Sequence, residues 1–220
     1  MPTLYLASTS PARLALLRAA GIEPVVLASS VDEPAAVAAA EVAEGRSLST
    51  DEMVLLLARA KAEAVLAQHG AELDGFVLGG DSAFEIDGVV YGKPHEVGTA
   101  RTRWLAQRGR SGVLASGHWL IDARRSSGEP RGEGAVARAG VTFVDDMTDG
   151  ELEAYLASGE PLEVAGAFTI DSLGGPFIER IDGDPSTVVG LSLPTFRRLL
   201  GRFEVPVTDL WNRGGALAGG

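Results

Sequence analysis

The chain has 220 residues, no cysteine, 45% hydrophobic residues and a formal net charge of −11. That length supports one well-buried domain or two small lobes, and the missing cysteines exclude a disulfide framework and thiolate chemistry. An acidic surface repels nucleic acid, so no polynucleotide partner is expected, and an anionic substrate needs a local cationic pocket or a metal ion.

The amino terminus lacks a basic stretch and a long apolar core, and no apolar run reaches membrane-spanning length. A cytoplasmic location and no membrane partner are therefore expected. Leu4–Ala7 reads as a strand that turns into a helix at Ser10-Pro11. Ser10 is a good N-cap and Pro11 suits the first helical position. A helix start exposes backbone N–H groups and favours an anion, and Ser8, Thr9 and Arg13 stand beside it. The same features fit an ordinary capped helix with a surface arginine.

Gly21 closes that helix, and Pro24–Ala28 reads as a second strand. Residues Pro34–Gly45 fit a loop or a poor helix. Ser49-Thr50-Asp51-Glu52 is a capping box that opens a helix to about His69. Phe76–Leu78 reads as a short buried strand ending at Gly79-Gly80-Asp81-Ser82. Phe84–Tyr91 alternates around Asp87-Gly88, a strong hairpin signal. A helix over Val97–Gln107 precedes strand-like runs at Gly112–Ala123 and Ala135–Val144, with a polar loop over Arg124–Gly134 between them. Thr148 and Glu151 form a second capping box, for a helix through Tyr155. Pro176–Ile181 reads as a strand, Val188–Leu191 as a turn or buried strand end, Pro194–Leu200 as the last helix, and Gly214–Gly220 as a frayed end. Helices alternating with strands early, and hairpins in the middle, predict an α/β fold around a mixed, twisted sheet.

Four charged residues stand out. Lys61 falls on the apolar stripe of Val54, Leu57, Ala58 and Val65, which fits either a snorkelling lysine or one at the lip of a cleft. Asp81 ends an apolar strand behind two glycines, where a carboxylate can hold a metal or activate water, or simply form a turn. Lys93 lies in a stiff turn before Pro94, and Glu33 follows the second strand; both also read as solvated loop charges. His69, His95 and His118 lack metal-ligand spacing, and neither a P-loop nor a dinucleotide fingerprint is present.

Taken in order, these segments resemble the Maf nucleoside triphosphate pyrophosphatases, known also as septum-formation inhibitors, and most closely their actinobacterial branch. The matching stretches are Leu6–Arg13, Asp32-Glu33, Leu57–Ala62, Gly80–Ser82, Gly92–Pro94, Tyr155–Pro161, Ala165–Phe168 and Val188–Pro194. The resemblance implies a single domain over residues 1–203, of Maf/inosine-triphosphatase-like fold: two lobes, an elongated twisted mixed sheet flanked by helices, and a cleft between lobes. A tail follows over 204–220. It implies cleavage of a nucleoside triphosphate into monophosphate and pyrophosphate with Mg²⁺ or Mn²⁺, and a possible homodimer. Asp81 becomes the proton acceptor, with Lys61 and Lys93 beside it, Ser8, Ser10 and Arg13 on the phosphates, and Glu33 with Asp81 as metal ligands.

Three positions depart from the pyrimidine-specific members. Ala12 replaces the first arginine of their S-P-R-R, Ser82 replaces a threonine, and Asp171 replaces a glutamine. The resemblance ties these positions to base choice, so a dTTP/UTP preference is not carried over. A non-catalytic nucleotide-binding regulator of division is the competing reading.

Overall fold

The computed structural model describes residues 1–212, so the expected fraying of Gly214–Gly220 lies outside the described residues. The strands are β1 (Thr3–Ala7), β2 (Val25–Val26), β3 (Gly75–Ile86), β4 (Val89–Tyr91), β5 (Ser111–Asp122), β6 (Arg131–Phe143) and β7 (Ile178–Asp182). The helices are α1 (Pro11–Ala19), α2 (Glu33–Glu44), α3 (Thr50–His69), α4 (Val97–Gln107), α5 (Asp149–Ala157), α6 (Pro185–Val189) and α7 (Leu193–Arg202). The sheet has the order β2-β1-β3-β5-β6-β7, with β4 added beside β3. The β1–β2 and β1–β3 pairs are parallel and the other pairs antiparallel, so the sheet is mixed, as the pattern predicts.

The local signals explain the elements. Ser10 Oγ accepts the Arg13 N–H at the start of α1. Both capping boxes close reciprocally, Ser49 with Glu52 on α3 and Thr148 with Glu151 on α5. Asp87 and Gly88 take φ of 50° and 75°, the left-handed pair that a two-residue hairpin turn requires. The stretch from Pro34 is helical because Asp32 caps it, its Oδ1 accepting the Ala35 N–H at 3.0 Å.

Glycine caused two corrections. The strand expected to stop at Leu78 runs on through Gly79-Gly80-Asp81-Ser82 to Ile86. Gly79 serves packing there, since a Cβ on it would lie 2.0 Å from the Ala58 carbonyl oxygen of α3. The loop expected over Arg124–Gly134 is shorter, because β6 already begins at Arg131. Gly132 and Gly134 lie under Trp119, where added Cβ atoms would meet the indole at 2.6 and 2.4 Å. Val188-Val189 end α6, and Gly190 follows in a left-handed turn rather than at a strand end. The strand expected from Pro176 starts at Ile178.

Buried apolar side chains gather at the two ends of the sheet. Leu4, Leu6, Leu17, Phe76, Leu78, Phe196 and Leu200 pack with α1 and α7 around β1. Phe84, Trp104, Leu114, Phe143, Leu152 and Phe168 pack with α4 and α5 at the β4 end. The segment after residue 203 is docked as far as it is described: Leu210 is buried and the Asn212 N–H bonds the Gly21 carbonyl at 3.1 Å. No helix among the described residues is long and apolar enough to cross a membrane.

Candidate active site

The site lies where one edge of β3 is bare. β1 pairs with Gly75–Gly79 of β3 and β4 with Phe84–Ile86, while β5 pairs along the other edge from Phe76 to Glu85. Gly80–Ala83 therefore have no strand neighbour on the β1/β4 side. Asp81 is in this gap, two residues beyond the carboxyl end of the parallel pairing. Such an end is where open sheets hold ligands.

Helix α3 brings Lys61 to it. Gly79 and Gly117 let α3 lie directly on the sheet: Cβ atoms there would approach the Ala58 and Val54 carbonyl oxygens to 2.0 and 2.2 Å. At this distance Lys61 Nζ donates to Asp81 Oδ1 at 2.7 Å and also pairs with Glu33 Oε1 at 2.8 Å. Lys61 and Asp81 side chains are 10% and 14% exposed, and Glu33 is 47% exposed at the first turn of α2. Burial raises the Asp81 carboxyl above its ordinary range, and the Lys61 and Arg13 charges only partly oppose that.

Arg13 enters from α1. Gly80 makes room for it, since a Cβ there would be 3.1 Å from Arg13 Nε. Its guanidinium is buried and held by oxygens that carry no net charge. Nε donates to the Gly190 carbonyl at 2.7 Å, Nη1 to Ser8 Oγ at 3.1 Å and Nη2 to Ser82 Oγ at 2.9 Å. Among the described residues no carboxylate is within ion-pair distance of it. Burial lowers its pKa, while the nearby Asp81 and Glu33 charges favour the cation. A guanidinium has five N–H donors, so two remain for an incoming anion. Ser8 Oγ also accepts the Ser10 N–H at 3.2 Å, which ties the start of α1 to the same hydroxyl that the guanidinium uses.

The structure gathers these residues at the bare edge of β3 in two groups on alternate faces of the strand, Glu33, Lys61 and Asp81 toward α3 and Ser8, Ser10, Arg13 and Ser82 toward α1, with the Arg13 charge felt at Asp81. Ala12 is half-buried on α1 beside them. Lys93 is exposed and makes no direct polar contact with the cluster, although the chain leaves β4 heading toward the level of Ala83 and Ser82. Asp171 is exposed on the turn after Ile170 and likewise touches none of the cluster. Glu160 organises that turn, accepting from Tyr155 Oη, Thr169 Oγ1, Ser172 Oγ and the Leu173 and Gly174 N–H groups.

Glu33 and Asp81 converge on a single ammonium, so both reach one cation-sized position. Two carboxylates suit a hard divalent ion whose other ligands are phosphate oxygens and water. No group of three or more potential metal-ligating side chains exists among the described residues, so a dedicated protein cage is lacking. A cavity of about 250 Å³ lies elsewhere, by Met1, Asp74, Arg124 and Asp209 at the amino ends of β1 and β3. Two of its charged side chains are already occupied, Arg124 by Asp122 and Asp74 by the Arg125 N–H. The chemistry points to the open edge of β3 instead.

Sequence reasoning missed Glu160, Ser116 and His118. Ser116 and His118 are fully buried on β5, and His118 is not incidental: its Nε2 accepts the Ser192 N–H at 2.8 Å. Polar side chains alternating inside an apolar strand were the available signal.

The chain is similar to known proteins over nearly its whole length. The sequence model of the family described as Maf-like protein matches residues 3–203. A protein of Leifsonia xyli subsp. xyli named nucleoside triphosphate pyrophosphatase is 68% identical over 96% of this chain and 98% of its own length. Proteins of the same name from Salinispora tropica and Rhodococcus jostii are 53% and 49% identical, over 96% and 98% of this chain and 88% and 99% of their own.

Proposed function

The chain belongs to the Maf family, and on that premise we propose that it is a nucleoside triphosphate pyrophosphatase, a hydrolase acting on phosphoanhydride bonds. Water attacks the α-phosphorus, the α–β anhydride bond breaks, and pyrophosphate leaves from a nucleoside monophosphate. The observation that carries the assignment to this site is Arg13: a buried cation held only by neutral oxygens, with free N–H donors, next to a buried carboxylate. Fully buried charges are ordinarily paired with an opposite charge.

Asp81 acts as proton acceptor for the attacking water. Its raised pKa brings it closer to the operating pH, which suits a general base. Lys61 holds Asp81 and Glu33 by its Nζ and presents its one remaining ammonium donor to a phosphate oxygen. Arg13, the first turn of α1 and Ser8 bind the phosphates, and Lys93 joins them from the end of β4. Within the cluster, Arg13 and Lys61 are balanced by Asp81 and Glu33, so the site has no surplus charge for a triphosphate. A divalent cation, Mg²⁺ or Mn²⁺, held by Glu33 and Asp81 would neutralise phosphate charge, and while bound to Asp81 it would lower that carboxyl's pKa, at a cost to its strength as a base. Ala12, Ser82 and Asp171 are the positions we assign to base choice.

The test is product analysis over a panel of ordinary and modified nucleoside triphosphates, with Mg²⁺, with Mn²⁺ and with chelator. The expected products are monophosphate and pyrophosphate in equal amounts, only when metal is present. Orthophosphate as the first product would refute the bond assignment. Tight nucleotide binding without turnover would leave the regulator reading in its place.

A further inference from the structure

Strand β5 buries two polar side chains that the proposed chemistry does not use. Ser116 and His118 are two positions apart, so both point to one face of the sheet, and both are fully buried. Each holds one end of the same connection. Ser116 Oγ donates to the Thr187 carbonyl at 2.9 Å, in α6. His118 Nε2 accepts the Ser192 N–H at 2.8 Å, at the cap of α7. Between these points lies Gly190, at φ +116°, whose carbonyl receives Arg13 Nε.

A second path leads to the same guanidinium. Ser82 Oγ and Ser116 Oγ are 2.8 Å apart. The Ser116 proton goes to Thr187, so Ser82 is the donor in this pair and keeps its lone pairs for Arg13 Nη2. The bonds run in one direction, from Arg13 to Ser82 to Ser116 to the Thr187 carbonyl. Two of the three Arg13 contacts therefore depend on β5.

We propose that Ser116 and His118 are positioning residues for Arg13: they fix the 187–192 connection and Ser82 so that the guanidinium keeps its two free N–H donors toward the triphosphate. This rests on the reading that Arg13 binds substrate phosphate. His118 serves as the neutral ring with its proton on Nδ1, since Nε2 accepts. Burial, and then the Arg13 charge, hold its pKa down to about 4. Nδ1 has no hydrogen bond of good geometry, although the backbone of Ala135 and Ser116 lies close to the ring. Its cationic form would put a donor against the Ser192 N–H and a second charge beside Arg13.

The experiment is a double-mutant cycle read in kcat/KM for pyrophosphate release, with melting curves for each variant. Ser116→Ala and His118→Leu should each lower kcat/KM about ten-fold or more, the scale of a displaced binding group. His118→Gln, whose amide oxygen can accept the Ser192 N–H, should recover most of the loss. In an Arg13→Ala background, adding Ser116→Ala should change kcat/KM by less than about two-fold, because residues acting through one group are not additive. Fully additive losses, or single variants with wild-type kinetics, would overturn the proposal while leaving a crippled Arg13→Ala as support for the site. Wild-type activity in Arg13→Ala would instead refute the phosphate role of Arg13 and this proposal with it. Should His118→Leu fail to fold, the near-isosteric Ser116→Ala decides alone.

Discussion

Replacing Asp81 with asparagine separates a catalytic carboxylate from a structural strut, because the two roles predict different melts. If the Lys61–Asp81 pair held the fold together, breaking it would cost about 3–5 kcal/mol. For a chain of this size that lowers Tm by about 6–20 °C. The geometry predicts otherwise. Asparagine keeps an oxygen for Lys61 Nζ, and Lys61 keeps Glu33 at 2.8 Å, so no charge is orphaned. Asp81 itself is an ion made unfavourable by burial, to a degree its cationic neighbours do not offset.

The pH dependence gives the sign. A carboxyl whose folded pKa is raised holds more protons in the folded than in the unfolded state between the two values. Stability contributed by Asp81 therefore falls as pH rises from its ordinary 3.8. Asp81→Asn lacks this loss. Its Tm should equal or exceed that of the wild type at pH 7, and the difference should grow in its favour from pH 4 upward. Turnover should fall by a factor of about 10² to 10⁴, the contribution of a general base, or about 3–5 kcal/mol of barrier. Differential scanning calorimetry and pyrophosphate release on the same preparation check both. A Tm lower by more than about 6 °C would make the pair structural, and turnover within about three-fold of wild type would remove Asp81 from proton transfer.

Lys61→Met leaves Asp81 and Glu33 facing each other without their shared cation, at a cost of about 1–3 kcal/mol once the half-exposed Glu33 is allowed for. Losing the ammonium raises the Asp81 carboxyl further, so the variant's Tm deficit should widen from pH 5 to pH 8; a constant deficit would show the groups uncoupled. Lys93→Ala should leave Tm within about 1–2 °C, as for exposed sites, while lowering kcat/KM for triphosphate about ten-fold. Unchanged kinetics would make Lys93 a surface lysine. Gly79→Ala places a Cβ 2.0 Å from the Ala58 carbonyl oxygen and should destabilise by about 3 kcal/mol or prevent folding. Gly80→Ala meets Arg13 Nε at 3.1 Å and should cost activity far more than stability, as steady-state kinetics beside a melt would show.

Local chemistry was legible in the chain because it is written in adjacent residues. Ser10 with Pro11, Ser49 with Glu52, Thr148 with Glu151 and Asp87-Gly88 each fix a boundary through contacts within a few positions. What failed was the meaning of glycine. Gly79, Gly132 and Gly134 look like breakers in sequence, yet each makes room for a neighbour elsewhere in the chain: α3 for the first and Trp119 for the others. The charged half of the site was legible because Lys61 and Asp81 sit among apolar neighbours where an unpaired charge is costly. The Lys61–Glu33 contact, and the support of Arg13 by Ser116 and His118, depend on where α2 and the 187–192 connection fold back. Nothing local encodes that.

The position of the site follows from the strand lengths around β3. A parallel partner that continued past Ala7 would pair Gly80–Ala83 and bury Asp81 in an ordinary ladder. β1 instead stops opposite Gly79, and the chain turns at once into α1, whose capped first turn and Arg13 fill the space the missing strand leaves. β4 is only three residues long and ends opposite Phe84, so the gap stays open from the other side too. The same break that deprives β3 of hydrogen-bond partners thus brings a helix start, a guanidinium and a turn carbonyl to a buried carboxylate. Lengthening β1 by two strand-forming residues before Ser8 would displace α1 along the edge. Such an insertion should abolish turnover while sparing the far core of Phe84, Trp104 and Phe143, which makes no use of that edge. Retained turnover would show that the bare edge of β3 is not where the triphosphate binds.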